Sequence, residues 1–108
     1  MGTVFVKVAR LDQILPGRGT AVQLEGHPVA LFNVDGHVHA MDDTCARCGA
    51  SLASGTLAGT DLRCPECGWH YDVDTGCVAG VPGLRIDTFA ASVEDSDVLL
   101  ATESPPPP

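Results

Sequence analysis

Two short cysteine motifs constrain this chain more than any other feature of its sequence. They read Cys45-Ala46-Arg47-Cys48-Gly49 and Cys64-Pro65-Glu66-Cys67-Gly68, and fifteen residues lie between Cys48 and Cys64. A turn with two residues between its cysteines can aim both thiolates at one point, and the following glycine accepts the positive φ of such a turn. Two turns of this kind supply four thiolates. The spacing therefore predicts one tetrahedral zinc or iron site, held by Cys45, Cys48, Cys64 and Cys67.

Other common uses of cysteine fit the sequence less well. Five cysteines are an odd number for a disulfide framework, and the first ten residues lack the regions of a secretory signal. A thioredoxin-like motif would begin a helix inside an α/β pattern, which this sequence does not show. Cys77 is left over, and we expect it to be a small buried apolar residue.

The rest of the sequence predicts short strands separated by turn residues. Asp35-Gly36 is a strong hairpin turn, and residues 11–15 favour a single helical turn before Pro16-Gly17. No segment carries a sustained helical period, and the spacing of the strands predicts an all-β sandwich or barrel of antiparallel sheets. The predicted strands lie at residues 3–8, 20–24, 28–34, 37–41, 69–73, 77–79, 88–93 and 98–101.

Charge and hydropathy exclude two classes of partner. The chain has 14 Asp and Glu residues against 6 Lys and Arg residues, a formal charge of −8, and such a surface repels nucleic-acid phosphates. No apolar run approaches the ~18 residues of a membrane-spanning helix. We therefore expect a soluble, cytoplasmic protein with no nucleic-acid or membrane partner. Its acidic surface would suit a protein partner with a basic docking face.

The stretch from Ala30 to Leu100 contains a series of recognisable motifs. The series begins with the sequence LFNVDG at residues 31–36 and continues through GASL at 49–52. It is strongest in CPECGWHYD at 64–72, which Thr75-Gly76 and VPG at 81–83 follow. Together these motifs resemble a Rieske ferredoxin domain. The resemblance implies antiparallel sheets with a small two-loop metal-binding subdomain, a third loop at 80–83 that covers the cofactor, and one-electron transfer, often to an oxygenase.

The ligands depart from that resemblance. Rieske domains hold a 2Fe-2S cluster with one Cys and one His from each loop; Cys45 and Cys64 match the cysteines, whereas Arg47 and Cys67 stand at the histidine positions. Four thiolates would lower the reduction potential and remove the ionisable imidazoles. The paired turns also look like those of rubredoxins and zinc ribbons. A mononuclear Fe(Cys)4 ion, an all-cysteine 2Fe-2S cluster and a zinc ion therefore all remain open.

The side chains near these turns have simple expected roles. Trp69 should pack beside the second turn, and Arg47 either offsets thiolate charge or contacts an acidic partner. The histidines are expected to lie outside the site, because four cysteines suffice as ligands. They are His27, His37, His39 and His70.

The expected organisation is a Rieske-like domain over residues 1–103, with the metal-binding subdomain at about 43–82 and a proline-rich tail at 104–108. The leading function is a ferredoxin-like electron carrier between a reductase and an oxygenase or similar enzyme. A closed four-thiolate site leaves no open coordination position, so we do not expect the chain to be a catalyst by itself. The alternative is a non-redox binding module that a structural zinc ion stabilises.

Overall fold

A computed structural model describes residues 4–24, 26–81 and 83–102. Within these residues the chain forms ten strands and two single 3-10 turns, at Leu11–Gln13 and Leu52–Ser54. The first of these turns confirms the helical turn predicted at residues 11–15. The strands are β1 (Val4–Arg10), β2 (Gly19–Leu24), β3 (His27–Val34), β4 (His37–Asp42), β5 (Thr56–Ala58), β6 (Asp61–Arg63), β7 (His70–Asp72), β8 (Thr88–Phe89), β9 (Ala91–Glu94) and β10 (Asp97–Thr102).

The strands form three antiparallel sheets. Their orders are β1-β10-β9, β2-β3-β4-β8 and β5-β6-β7. The predicted all-β class and antiparallel pairing are therefore confirmed. In the part of the chain that the structure describes, no helix has the length and apolar character needed to cross a membrane.

The β3–β4 hairpin shows how local sequence sets the fold. Asp35 and Gly36 have φ of 51° and 85°, and two successive positive φ angles match the right-handed twist of paired strands. The Asn33 side chain accepts a hydrogen bond from the Gly36 N–H (2.8 Å) and donates one to the Ile14 carbonyl (3.0 Å). The hairpin predicted at Asp35-Gly36 is confirmed, and Asn33 ties it to the preceding segment.

Strand β3 separates two hydrophobic cores. Successive residues of a strand point to opposite faces, so Ala30 and Phe32 pack into one core while Val29 and Leu31 pack into the other. The first core also contains Cys45 and several residues of the small β5-β6-β7 sheet, and the second contains no cysteine. The cysteine turns are thus built onto one side of the large sheet.

Two of the predicted strands differ in the structure. The segment 88–93 is divided at Ala90, because β8 pairs with β4 whereas β9 pairs with β10. One run of strand-forming residues thus contributes to two sheets. Residues 77–79 form no strand and make only isolated bridges, such as the one between Cys77 and Arg85.

Strands β5 and β6 were not predicted. Each has only three residues, with Gly55 before β5 and Gly59 between the two strands. Runs this short are below the length at which alternation is recognisable. The predicted tail at 104–108 lies outside the described residues.

Candidate metal centre

Backbone hydrogen bonds give the two cysteine turns the same conformation. In the first turn the Cys45 N–H donates to the Ala50 carbonyl (2.9 Å), and the Gly49 N–H donates to the Cys45 carbonyl (3.0 Å). In the second turn the Cys64 N–H donates to the Trp69 carbonyl (2.8 Å), and the Gly68 N–H donates to the Cys64 carbonyl (3.2 Å). The glycine that ends each motif has a φ of 78° or 79°. The positive φ expected of these glycines is therefore confirmed, and each turn is held by two backbone hydrogen bonds within six consecutive residues.

The four sulfur atoms meet between these turns. Cys45 Sγ lies 3.8 Å from Cys67 Sγ, and Cys48 Sγ lies 3.5 Å from Cys64 Sγ. All four sulfurs lie within 4.8 Å of one another. With metal–sulfur bonds of about 2.3 Å, a tetrahedral site places its sulfurs about 3.8 Å apart. The group therefore has the dimensions of a site for one tetrahedral ion.

Histidine has no part in this group. Within the ranges that the structure describes, the four cysteines are the one set of three or more His, Cys, Asp or Glu donors that lie together. His27, His39 and His70 lie beside carboxylates instead; the closest pair joins His70 Nδ1 to Asp61 at 2.8 Å. A centre with two cysteine and two histidine ligands does not fit these residues, whereas a four-thiolate centre does.

The group is buried on one side and open on the other. Cys45 and Cys64 are only 2% and 1% exposed, because both belong to the first hydrophobic core. Cys67 is half-buried and Cys48 is exposed. The second cysteine of each turn therefore faces outward, and the site reaches the protein surface at Cys48.

Tyr71 supports the buried side. Its ring is fully buried on β7, and its hydroxyl lies 3.2 Å from Cys45 Sγ and 3.0 Å from the Ala46 nitrogen. The Ala46 N–H donates to the hydroxyl oxygen, which leaves the hydroxyl hydrogen to donate to the sulfur. No sequence pattern indicates this contact, since Tyr71 lies 26 positions after Cys45 in the chain.

These contacts change the acidity of the thiols. Burial raises the pKa of Cys45, but hydrogen bonds from Tyr71 and from backbone N–H groups outweigh it and lower that pKa to about 6. At Cys48 the Ala50 backbone hydrogen bond lowers the pKa, whereas burial and the neighbouring thiols raise it, to about 12. The interior sulfur is thus the better stabilised as a thiolate.

An arginine and a tryptophan connect the two turns on the outside. The Arg47 guanidinium carbon lies 5.3 Å from the centre of the Trp69 ring, within the range of a cation–π contact. Trp69 is half-buried against the first core and directly follows the second turn, as expected. The Arg63 guanidinium is also close, since its Nε and Nη2 atoms lie 3.8 Å from where a Cβ on Gly68 would stand.

Cys77 is exposed, so the prediction that it is buried was wrong. Its neighbours Gly76 and Val78 are buried. Because successive residues of an extended segment face opposite sides, the Cys77 side chain faces solvent. The Cys77 backbone N–H donates a hydrogen bond to the Thr75 hydroxyl oxygen, at 3.2 Å. Cys77 lies outside the group of four sulfurs.

Comparison with known proteins identifies related chains. The family model of the Rieske [2Fe-2S] domain matches residues 4–90. The ferredoxin component of the naphthalene 1,2-dioxygenase/salicylate 5-hydroxylase systems of Ralstonia sp is 31% identical over 100 residues, which cover 92% of this chain and 96% of that protein.

Solved structures show the same fold. The ferredoxin of carbazole 1,9a-dioxygenase from Nocardioides aromaticivorans IC177 superposes with a TM-score of 0.85 and 28% identity, over 93% of this chain and 99% of that one. A chain in a complex of reduced oxygenase and oxidised ferredoxin of carbazole 1,9a-dioxygenase gives a TM-score of 0.79 and 31% identity, over 88% of this chain and 99% of that one.

Proposed function

Because this chain belongs to the Rieske [2Fe-2S] domain family, we propose that it is a one-electron carrier of ferredoxin type with a redox centre of a different composition. The centre is a single iron ion bound by four thiolates. The observation that carries this proposal is the grouping of the four sulfur atoms within 4.8 Å of one another. The ligands are Cys45, Cys48, Cys64 and Cys67.

The sulfur distances favour one ion over a cluster. In an all-cysteine 2Fe-2S cluster each iron carries two thiolates, and the separation of the irons moves one pair away from the other. Here both close contacts, at 3.5 and 3.8 Å, join a cysteine of one turn to a cysteine of the other, and every pair lies within 4.8 Å. A single iron held in this way supplies one-electron ferric/ferrous chemistry.

The surrounding residues suit such a carrier. Hydrogen bonds from Tyr71 and backbone N–H groups stabilise thiolate charge at Cys45, and the rigid turns hold the sulfurs in place. Exposed Cys48 gives the centre a short path to a partner. Four protein ligands close the coordination shell, so the chain transfers electrons and does not bind a substrate at the metal.

The relatives support a role beside an oxygenase. Several of them are ferredoxin components of dioxygenase systems, and one solved relative is a ferredoxin in complex with an oxygenase. We propose that this chain likewise passes electrons from a reductase to an oxygenase. This assignment of ligands also makes residues 43–82 the metal-binding subdomain of a domain that covers residues 1–103.

The test is a joint measurement of iron, zinc, acid-labile sulfide and the visible spectrum, on protein purified without chelators after growth with added iron. We expect one iron per chain, no sulfide, and colour that bleaches reversibly on chemical reduction. Sulfide equal to iron would replace the single ion by a cluster and keep the carrier role. One zinc per chain without colour would contradict the carrier role and support the zinc-stabilised binding module.

A further inference from the structure

The inner and outer sides of the metal site are held differently. On the inner side, Cys45 and Cys64 are buried in the first core, and the Tyr71 hydroxyl contacts Cys45 Sγ at 3.2 Å. On the outer side, Cys48 is exposed and Cys67 is half-buried. A thiolate that dissociates from the ion has to move away from it, and the packed inner cysteines have no room to do so. The outer cysteines are therefore the ligands that can leave first.

The two outer cysteines belong to different turns, and a side-chain contact joins these turns on the outside. Arg47 directly precedes Cys48, and Trp69 follows Cys67 by two residues. The Arg47 guanidinium carbon lies 5.3 Å from the centre of the Trp69 ring, within the range of a cation–π contact. A turn that swings outward with its cysteine therefore separates the guanidinium group from the ring.

The same two residues also contact ligand sulfurs through their backbones. The Arg47 N–H donates a hydrogen bond to the Cys45 sulfur, and the Trp69 N–H donates one to the Cys67 sulfur. These two sulfurs lie 3.8 Å apart and belong to different turns. The side chains of Arg47 and Trp69 therefore connect the two backbone donors of one sulfur pair, and their contact helps to keep that pair together.

We propose that the Arg47–Trp69 contact is a latch on the outer side of the metal site, and that it slows the loss and exchange of the bound ion. The latch rests on the four-cysteine site of the proposed function, but it does not depend on which metal occupies that site. An exposed cation–π pair changes an equilibrium or a rate about two- to fivefold. Arg47 and Trp69 are thus positioning residues, while the ligands are the four cysteines.

A simple charge effect is the competing explanation, because any guanidinium group near four thiolates attracts them. Arg63 separates the two explanations. Its Nε and Nη2 atoms lie 3.8 Å from where a Cβ on Gly68 would stand, so its charge also lies at the second cysteine turn. In the described part of the chain, the cation–π contact with Trp69 is formed by Arg47 and not by Arg63. Arg63→Gln therefore removes the same charge and leaves the latch in place.

The first test measures the transfer of zinc from the zinc-loaded protein to a coloured chelator, at chelator concentrations where the rate no longer increases. Zinc accepts the same four thiolates. Arg47→Gln should release zinc at least about twofold faster than Arg63→Gln. Both arginines are exposed, so neither substitution removes core packing. Equal release rates in the two variants would overturn the latch.

A double-mutant cycle then tests whether Arg47 acts through Trp69. Trp69→Leu removes the ring, and its effect on packing cancels in the cycle because it is present with and without Arg47. Arg47→Gln should speed release in the original chain and leave the rate nearly unchanged in the Trp69→Leu background. An acceleration that is undiminished without the ring would mean that Arg47 acts independently of it, against the proposal.

Fluorescence reports the contact itself, because Trp69 is the one tryptophan in the chain. Acrylamide is the quencher, since it is uncharged and its approach to the ring does not depend on the charge of Arg47. We expect stronger quenching in zinc-loaded Arg47→Gln, where one face of the ring is uncovered, and unchanged quenching in Arg63→Gln. Quenching that Arg47→Gln leaves unaltered would show that no stack covers the ring.

The latch and the carrier function fail in different measurements. The latch fails if the zinc proteins of the two glutamine variants release their ion at the same rate, whatever the natural metal is. The carrier function fails if protein purified after growth with added iron contains zinc and has no colour. A chain that binds no zinc would contradict the four-cysteine site and the latch together.

Discussion

At the scale of single residues, the hydroxyl of Tyr71 is the side-chain group that most directly affects the metal site. It donates to Cys45 Sγ at 3.2 Å and accepts the Ala46 N–H at 3.0 Å. A hydrogen bond to a thiolate withdraws electron density from the sulfur and so favours the reduced, more negative state of the metal site. The same hydroxyl therefore contributes to the reduction potential and to the conformation of the first turn.

Replacing Tyr71 by Phe should lower the reduction potential of the iron protein. The ring remains, so packing is kept, but Cys45 loses a donor and the Ala46 N–H loses its acceptor. An unpaired, partly buried amide of this kind costs about 1 kcal/mol of unfolding free energy. Voltammetry and denaturant unfolding measure the two effects. An unchanged potential would mean that the hydroxyl does not donate to the sulfur.

Replacing Cys48 by Ser should remove most of the bound metal, whereas replacing Cys77 by Ser should retain it. Cys48 lies within the group of four sulfurs, and Cys77 lies outside it. Both side chains are exposed, so the two substitutions are comparable in their effect on packing. Elemental analysis of the purified variants gives the answer. Equal metal content in the two would refute the four-cysteine assignment.

At the scale of elements, the cysteine turns behave as two copies of one unit. Each makes the same pair of backbone hydrogen bonds and ends in a glycine with a φ near 80°. These bonds close within six residues, and the first turn adds one long-range hydrogen bond, from the Ala46 N–H to the Tyr71 hydroxyl. The conformation that the two turns share is therefore set by local bonds, while the sheets decide where the turns are placed.

Replacing Gly49 by Ala should speed the release of metal to a chelator. No atom lies within 4 Å of where its Cβ would stand, so the cost comes from the positive φ alone, about 1–2 kcal/mol. That strain falls on the turn that holds Cys45 and Cys48. The measurement is the rate of metal transfer to a coloured chelator.

Gly36→Ala is the control for this substitution. Gly36 has a φ of 85° and an equally open surrounding, but it lies in the β3–β4 hairpin. The two variants should lose similar unfolding free energy, and only the Gly49 variant should lose metal faster. Equal release rates would show that general destabilisation, and not turn strain, controls the metal.

At the scale of the whole molecule, the metal site is part of one of two cores. Cys45 and Cys64 are packed with Leu62 and Tyr71, while the other core joins β3 to β10 without any cysteine. Metal binding in small domains is coupled to folding, because the ligands are brought together only in the folded state. The two cores should therefore depend on the metal to different degrees.

Removal of the metal should loosen the β5-β6-β7 sheet before the β1-β10-β9 sheet. Chelated protein, followed by hydrogen exchange and mass spectrometry, should lose protection first in peptides that cover residues 56–72. Peptides that cover residues 97–102 should keep theirs. A uniform loss of protection across both regions would show that the cores unfold as one unit.

The features that depend on neighbouring residues could be predicted from the amino-acid sequence alone. The conformation of each cysteine turn, the Asp35-Gly36 hairpin and the antiparallel all-β class follow from turn chemistry and alternation within a few residues. The three-residue strands β5 and β6 carry too little of that pattern to be found.

The contacts between residues far apart in the chain arise only when the sheets pack together, and the tertiary structure was needed to find them. It brought the sulfurs of the two turns to 3.5 and 3.8 Å, placed Tyr71 on Cys45 across 26 residues, and stacked Arg47 on Trp69. It also turned Cys77 outward. The physical reason is that such contacts depend on how sheets pack and where the chain changes sheet, which no local pattern encodes.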